Sequence, residues 1–81
     1  MDKIVEAIQN ERAYQRDKYG DKPHDVGSFI LIMQGELEEA AQGWRKGKGD
    51  TDALREILQV ISVGIACLEQ HGIVERENIF R

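Results

Sequence analysis

The sequence predicts an all-α protein that forms one small domain. Three observations favour this fold class: a single proline in 81 residues, an aromatic content of 6%, and little of the alternation of β-branched residues that is typical of strands. We expect three main helices plus a short C-terminal segment, in one domain over residues 1–81. Because so short a chain buries only a thin core, we expect oligomerisation to complete the helical bundle.

Helix 1 is predicted over Asp2–Tyr19. Its apolar face begins with Ile4 and Ile8, and the same line of the helix then continues through three polar residues: Glu11, Gln15 and Lys18. This polar half either emerges into solvent or lines a polar cavity. Gly20 is expected to end the helix, since glycine adopts the left-handed conformation common at helix C-termini.

Helix 2 is predicted over Gly27–Trp44, after a loop that contains Pro23, with Asp25 or Ser28 as its N-cap. One seam at helical spacing is expected to face the core: Phe29, Met33, Leu37, Ala40 and Trp44. A neighbouring seam carries Ile32, Glu36, Glu39 and Gly43. Glu38 points roughly the opposite way from the glutamates of that second seam, so we expect it to be solvated.

Helix 3 is predicted over Thr51–His71, capped by Asp50 or Thr51 and ended by Gly72. Its middle is apolar nearly all round, which indicates a central helix or one shared with a second subunit. The tail adds a short helix or an interface arm through Ile73, Val74, Ile79 and Phe80.

Composition excludes several classes of protein. The net charge of −4, from 15 acidic and 11 basic residues, argues against nucleic-acid binding. The N-terminus lacks the pattern of a signal peptide, and the longest apolar segment, Ile57–Leu68, is too short to span a membrane. The single cysteine, Cys67, has apolar neighbours and is expected to be a buried thiol in a reducing compartment. We therefore expect a soluble, cytoplasmic protein.

Acidic residues at helical spacing are the candidates for chemistry. Glu36 and Glu39 lie one turn apart on helix 2, and Glu56 and Gln59 have the same spacing on helix 3. Facing helices can direct such residues into a bundle core, where Mg²⁺ prefers carboxylates together with substrate phosphates. The spacing alone equally describes a solvated helix face. No zinc site is expected, because the chain's two histidines are not spaced as ligands.

Four segments, in this order, resemble the MazG-like all-α nucleoside triphosphate pyrophosphohydrolases, especially the short single-domain members. The segments are Glu11–Gly20, His24, Gly35–Ala40 and Glu56–Val60. Together they span about residues 11–70. The resemblance implies hydrolysis of a nucleoside triphosphate, ribo- or deoxyribo-, to the monophosphate and pyrophosphate. It also implies Mg²⁺ as cofactor, with Mn²⁺ as an alternative, and assembly as a homodimer or dimer of dimers.

The family combines an EExxE motif on one helix with an ExxD motif on the next. By this resemblance Glu36, Glu39 and Glu56 are catalytic and bind metal, and Gln59 is a fourth ligand. Residues expected to contact substrate are Glu11, Gln15, Lys18, His24 and Lys46. The implied reaction is attack of a glutamate-activated or metal-bound water on the α-phosphorus, with Glu11 or Glu39 orienting the water.

Two positions depart from the motif. Gly35 stands where the first glutamate of EExxE would be, and Gln59 stands where the aspartate of ExxD would be. These departures favour an alternative: a catalytically weak or inactive nucleotide-binding or regulatory oligomer with the same fold. The basic turn Arg45–Asp50 also has two interpretations: its cations either remain solvated or reach the triphosphate.

Overall fold

A computed structural model of the protein describes residues 1–77. It contains three helices, α1 (Asp2–Tyr19), α2 (Val26–Arg45) and α3 (Asp50–His71), and no strand within those residues. The all-α prediction is confirmed, and every helix boundary falls within one residue of its expected position. The predicted interface residues Ile79 and Phe80 lie outside the described part of the chain.

Helices α2 and α3 form an antiparallel hairpin. At one end the ring of Phe29 meets the ring of His71 edge-on, with centroids 6.2 Å apart. Midway, a Cβ added to Gly64 would lie 3.5 Å from the Sδ of Met33, so the missing side chain lets the two helices approach closely. The hairpin closes through the loop between Arg45 and Asp50.

Helix α1 packs against α3, whereas no Cα atom of α1 lies within 8 Å of a Cα atom of α2. Helix α3 is therefore central within the protomer, which is one of the two arrangements that its apolar composition indicated. The polar half of α1 does not simply emerge into solvent. Arg12 is buried, and the side-chain amide of Gln15 donates to the backbone carbonyl of Gln59 at 3.4 Å.

The inward face of α2 differs from the predicted seam. Leu37 and Trp44 are 53% and 61% exposed, so their placement in the core is wrong for the protomer. The line that packs on α3 alternates steps of four and three residues: Phe29, Met33, Glu36, Ala40 and Gly43. This alternation holds one face better than repeated steps of four, because an α-helix turns once in 3.6 residues. Glu36 consequently lies on the packed face itself.

The caps are partly as expected. Gly20 and Gly72 end α1 and α3 with φ values of 75° and 91°. Asp25 caps α2, because its carboxylate accepts from the backbone N–H of Ser28 at 2.7 Å.

The predicted cap of α3 is wrong. Gly49 holds the N-cap position, and no side chain caps the helix. Asp50 is the first helical residue, and its carboxylate accepts a hydrogen bond from the indole Nε1 of Trp44 at 3.3 Å.

One side of the protomer is apolar and open. On α3 the exposed residues follow a heptad-like stripe: Leu54, Ile57, Ile61 and Leu68. On α2 a second stripe at seven-residue spacing is exposed: Ile30, Leu37 and Trp44. Cys67, expected to be buried, is only half-buried in the protomer. Within residues 1–77, no helix is long and apolar enough to cross a membrane.

Candidate metal site

Three glutamates converge where α2 faces the first turns of α3. Glu36, Glu39 and Glu56 each contribute one carboxylate oxygen to a set whose members all lie within 4.8 Å of one another. Glu36 and Glu56 are half-buried and Glu39 is exposed, so the cluster opens to solvent on one side. The three residues that the sequence placed at the centre of the site are therefore together.

Like charges at this distance disfavour full ionisation. A hydrogen bond with Glu56 is the main effect that raises the pKa of Glu36 to about 7, followed by loss of solvent and repulsion from Glu56 and Glu39. With all three groups ionised, Oε2 of Glu56 is buried and has no hydrogen-bond partner among the described residues. A buried carboxylate oxygen without a partner is costly, so the cluster needs a proton or a cation.

The cluster's chemistry fits a hard divalent cation. All its donors are carboxylate oxygens, the ligands that Mg²⁺ and Mn²⁺ prefer, and they include no thiolate or imidazole. Two oxygens bound to one Mg²⁺ at about 2.1 Å lie at most about 4.2 Å apart, so the observed spread requires only small side-chain shifts. The unpartnered Oε2 of Glu56 is the donor most in need of such an ion.

A cleft of about 180 Å³ adjoins the cluster. Its acidic lining residues are Glu39, Asp52 and Glu56, while Lys48 and Arg55 contribute positive charge. The sequence proposed Lys46 as the loop cation that meets substrate, but Lys46 is exposed and is not among the residues that line this cleft. Lys48, two positions further along the loop, lines the cleft instead.

The predicted substrate contacts on α1 differ in how far their side chains are buried. Glu11 and Gln15 are half-buried, and Gln15 bonds to the carbonyl of Gln59, which lies one turn from Glu56. Lys18 is exposed, and its ammonium donates to the Tyr14 hydroxyl at 3.3 Å.

His24 belongs to the opposite end of the hairpin. Its ring packs edge-on against Phe29 at 5.3 Å, and its backbone N–H donates to the side chain of Gln70 at 3.1 Å. Gln70 follows Glu56 by fourteen residues on α3, which corresponds to about 21 Å along a helix. Within one protomer, His24 therefore does not share the glutamate site.

A second charged cluster, which the sequence did not indicate, lies near that end. Arg12 donates from Nη2 and Nε to one carboxylate oxygen of Glu69, at 2.7 and 3.2 Å, and from Nη1 to Gln15 at 3.2 Å. Arg12 and Glu69 border a larger cleft of about 460 Å³, and the carboxylate and guanidinium groups that line it are already paired with one another. The signal that the sequence did contain for this cluster is that Arg12 follows Ile8 by four positions, which places a basic side chain on the apolar face of α1.

The structure leaves room for a side chain at Gly35, the position at which the family that the sequence resembles carries a glutamate. A Cβ built at Gly35 has no atom within 4 Å, so this position of α2 lies in open space. Packing within the protomer therefore does not exclude a glutamate at position 35.

Comparison with models of protein families, with curated proteins and with solved structures gives no match for this chain.

Proposed function

We propose that the protein is a Mg²⁺-dependent nucleoside triphosphate pyrophosphohydrolase that acts in nucleotide-pool control or removal of unwanted nucleotides. The observation that carries the proposal is the convergence of Glu36, Glu39 and Glu56, with one buried carboxylate oxygen left without a partner. If the cluster had only a structural role, repulsion between its like charges would destabilise the fold with no compensating interaction. The motif resemblance supplies the substrate class.

The three glutamates would hold the ion, with Gln59, one turn beyond Glu56, as a fourth ligand. When bound, Mg²⁺ would act as a Lewis acid towards the phosphates and lower the pKa of a coordinated water. Mn²⁺ would bind to the same ligands.

The protein's own groups then orient the reactants. A water oxygen forms a bond to the α-phosphorus, and the bond from that phosphorus to the α–β bridging oxygen breaks, so that pyrophosphate leaves with the electron pair. Glu39 is the exposed carboxylate of the cluster and borders the cleft, so it is best placed to orient this water and accept its proton. The half-buried Glu11 remains the alternative for this role.

Oligomerisation belongs to the same proposal. The accessible surface is 6695 Å², about 1,800 Å² more than expected for a compact monomer of 9.2 kDa. The radius of gyration of 14.5 Å likewise exceeds the roughly 12 Å of a compact chain of this length. We propose that a homodimer or dimer of dimers covers the exposed stripes of α2 and α3, as the family resemblance implies.

The test is a panel of ribo- and deoxyribonucleoside triphosphates, assayed for pyrophosphate and monophosphate with Mg²⁺, with Mn²⁺ and with chelator. We expect metal-dependent release of pyrophosphate from at least one member. Release of orthophosphate instead would indicate attack at the γ-phosphorus and would contradict the proposed reaction.

The alternative, a weakly active or inactive nucleotide-binding oligomer, is favoured by Gly35 and Gln59, which remove two acids from the motif. It predicts nucleotide binding by calorimetry without pyrophosphate release. If neither nucleotide nor Mg²⁺ binds to folded protein, both candidates are wrong and a helical assembly module remains.

A further inference from the structure

The loop between α2 and α3 fixes one lysine beside the glutamate cluster. Lys48 lies between Gly47 and Gly49, whose φ values of 78° and 80° belong to the left-handed region that favours glycine. The backbone N–H of Lys48 donates to the carbonyl of Gly43 at 3.2 Å, and that of Gly47 donates to Trp44 at 3.0 Å. These bonds anchor the loop to the last turn of α2, which is the helix that carries two of the glutamates.

The side chain of Lys48 follows the surface of α2 towards the cleft. A Cβ added at Gly43 would lie 3.9 Å from the Cδ of Lys48, so the aliphatic part of the lysine passes over this glycine. Lys48 then borders the cleft together with Glu39 and Glu56.

The ammonium group of Lys48 is available to a ligand. Its Nζ lies beyond 4.0 Å of every carboxylate in residues 1–77, so it forms no ion pair there. The other cation of the cleft, Arg55, already donates to Asp52 at 2.8 Å. Among the described residues that border the cleft, Lys48 therefore supplies the uncommitted positive charge.

We infer that Lys48 binds the phosphate chain of a metal-bound polyphosphate substrate in the cleft beside Glu39 and Glu56. This inference rests on the proposed function. A divalent ion carries less charge than the three carboxylates that would hold it, and the phosphate chain adds more negative charge, so the site needs a cation from the protein. Lys48 meets that need from a backbone position held by two glycines.

The matched control is Lys46, which belongs to the same loop, carries the same charge and does not border the cleft. Steady-state kinetics of Lys48→Ala and Lys46→Ala would be compared with the wild type on its best nucleoside triphosphate. We expect kcat/KM to fall about 10- to 100-fold for Lys48→Ala, as for loss of a charge-assisted hydrogen bond. Lys46→Ala should stay within about twofold of wild type, and Lys48→Arg should recover part of the loss.

Binding of Mg²⁺ alone separates a phosphate contact from a general effect on the site. Calorimetric titration with the metal should give an affinity for Lys48→Ala equal to or above that of wild type, because a positive charge near the carboxylates has been removed. Wild-type hydrolysis together with equal kcat/KM for Lys48→Ala and Lys46→Ala would overturn the inference and leave the proposed function intact.

Failure of the proposed function gives a different pattern. If the wild type hydrolyses no triphosphate, titration with Mg-tripolyphosphate replaces the kinetic assay. Weaker binding to Lys48→Ala than to Lys46→Ala would support the inference for a binding protein. Equal binding to both variants, or none to folded wild type, would overturn it. Circular dichroism of each variant confirms that the helices are intact.

Discussion

The two ends of α3 carry charged clusters of opposite design. Near the C-terminal end, the buried guanidinium of Arg12 lies 2.7 Å from a carboxylate oxygen of Glu69, so the charges of this cluster are balanced within the chain. Near the N-terminal end, Glu36 and Glu56 meet at the α2–α3 contact with no cation paired to either among residues 1–77. Each cluster is built from ordinary residues of amphipathic helices.

The pKa shifts of the two clusters run in opposite directions. A hydrogen bond from Arg12 is the main cause that lowers the pKa of Glu69, while the neighbouring Glu56 is the main cause that raises the pKa of Glu36 to about 7. A cluster that stabilises its own charges serves the fold, whereas one that opposes them requires a proton or an ion from solution. This difference, more than the number of acids, distinguishes a packing contact from a candidate site.

Removing a glutamate should affect activity most. Glu56→Gln eliminates the half-buried carboxylate whose Oε2 has no hydrogen-bond partner within residues 1–77, and we expect kcat for pyrophosphate release to fall about 100-fold or more. The metal-free protein should be as stable as wild type or more stable, because repulsion is relieved. Glu38→Gln is the matched control, since Glu38 is exposed and pairs with Arg45. Equal activity of the two variants would contradict the role of the cluster.

Disrupting the balanced cluster should instead affect stability. Arg12→Met leaves Glu69 and Gln15 without their donor, and we expect the free energy of unfolding to fall by about 1–3 kcal/mol, since Glu69 is half-exposed and not fully buried. Arg16→Met is the control, because its contact with Glu69 is longer, at 3.6 Å, and more exposed. Urea denaturation measures both changes. A larger loss of unfolding free energy for Arg16→Met than for Arg12→Met would contradict the prediction that Arg12 makes the main stabilising contact with Glu69.

Dependence of stability on pH provides a third test. The pKa of Glu36 is about 7 in the folded chain against an ordinary 4.5, so between these pH values the folded state binds more protons than the unfolded state. Stability of the metal-free protein should therefore fall as pH rises from about 4.5 to about 7, by about 1–2 kcal/mol after allowance for solvent screening. Glu36→Gln should remove this decline, and Mg²⁺ should offset it at pH 8.

The balanced cluster should respond in a separate window. Because Arg12 lowers the pKa of Glu69, its contribution is present above the ordinary carboxyl pKa and is lost as pH falls through the lowered value. Thermal unfolding of wild type and Glu36→Gln across this range distinguishes the two. A decline between pH 4.5 and 7 that persists in Glu36→Gln would show that another group causes it.

The smallest expected effect on stability comes from restoring the motif. Gly35→Glu places a carboxylate in open space beside the cluster, so the free energy of unfolding without metal should change by less than about 1 kcal/mol. Calorimetry should show tighter Mg²⁺ binding, because one more ligand is available. Gly35→Ala controls for loss of glycine from the helix. If both variants bind Mg²⁺ as wild type does, position 35 does not belong to the site.

Much of the fold was predictable because it depends on local signals. Apolar spacing, Gly20, Asp25 and Gly72 defined the helix ends within one residue, since caps and periodicity act within a few positions of the chain. The grouping of Glu36 with Glu39 was also predictable, because residues three positions apart share a helix face.

Long-range choices were not predictable in the same way. The spacing of α2 allowed either Leu37 or Glu36 to face α3, and their burial shows that the hairpin contact selected Glu36. The sequence likewise offered two lysines in one short loop. Both have a backbone N–H bonded to the last turn of α2, and only the structure shows that Lys48 borders the cleft while Lys46 does not.

The sequence by itself determined three helices, their ends and the presence of acids at helical spacing, since each depends on neighbours within a turn or two. Only the tertiary structure decided that Arg12 would pair with Glu69, fifty-seven positions away, and that Glu36 and Glu56 would meet without an ion pair to any basic side chain of residues 1–77. Pairing across such distances depends on how helices rotate and cross when they pack, which local spacing does not specify.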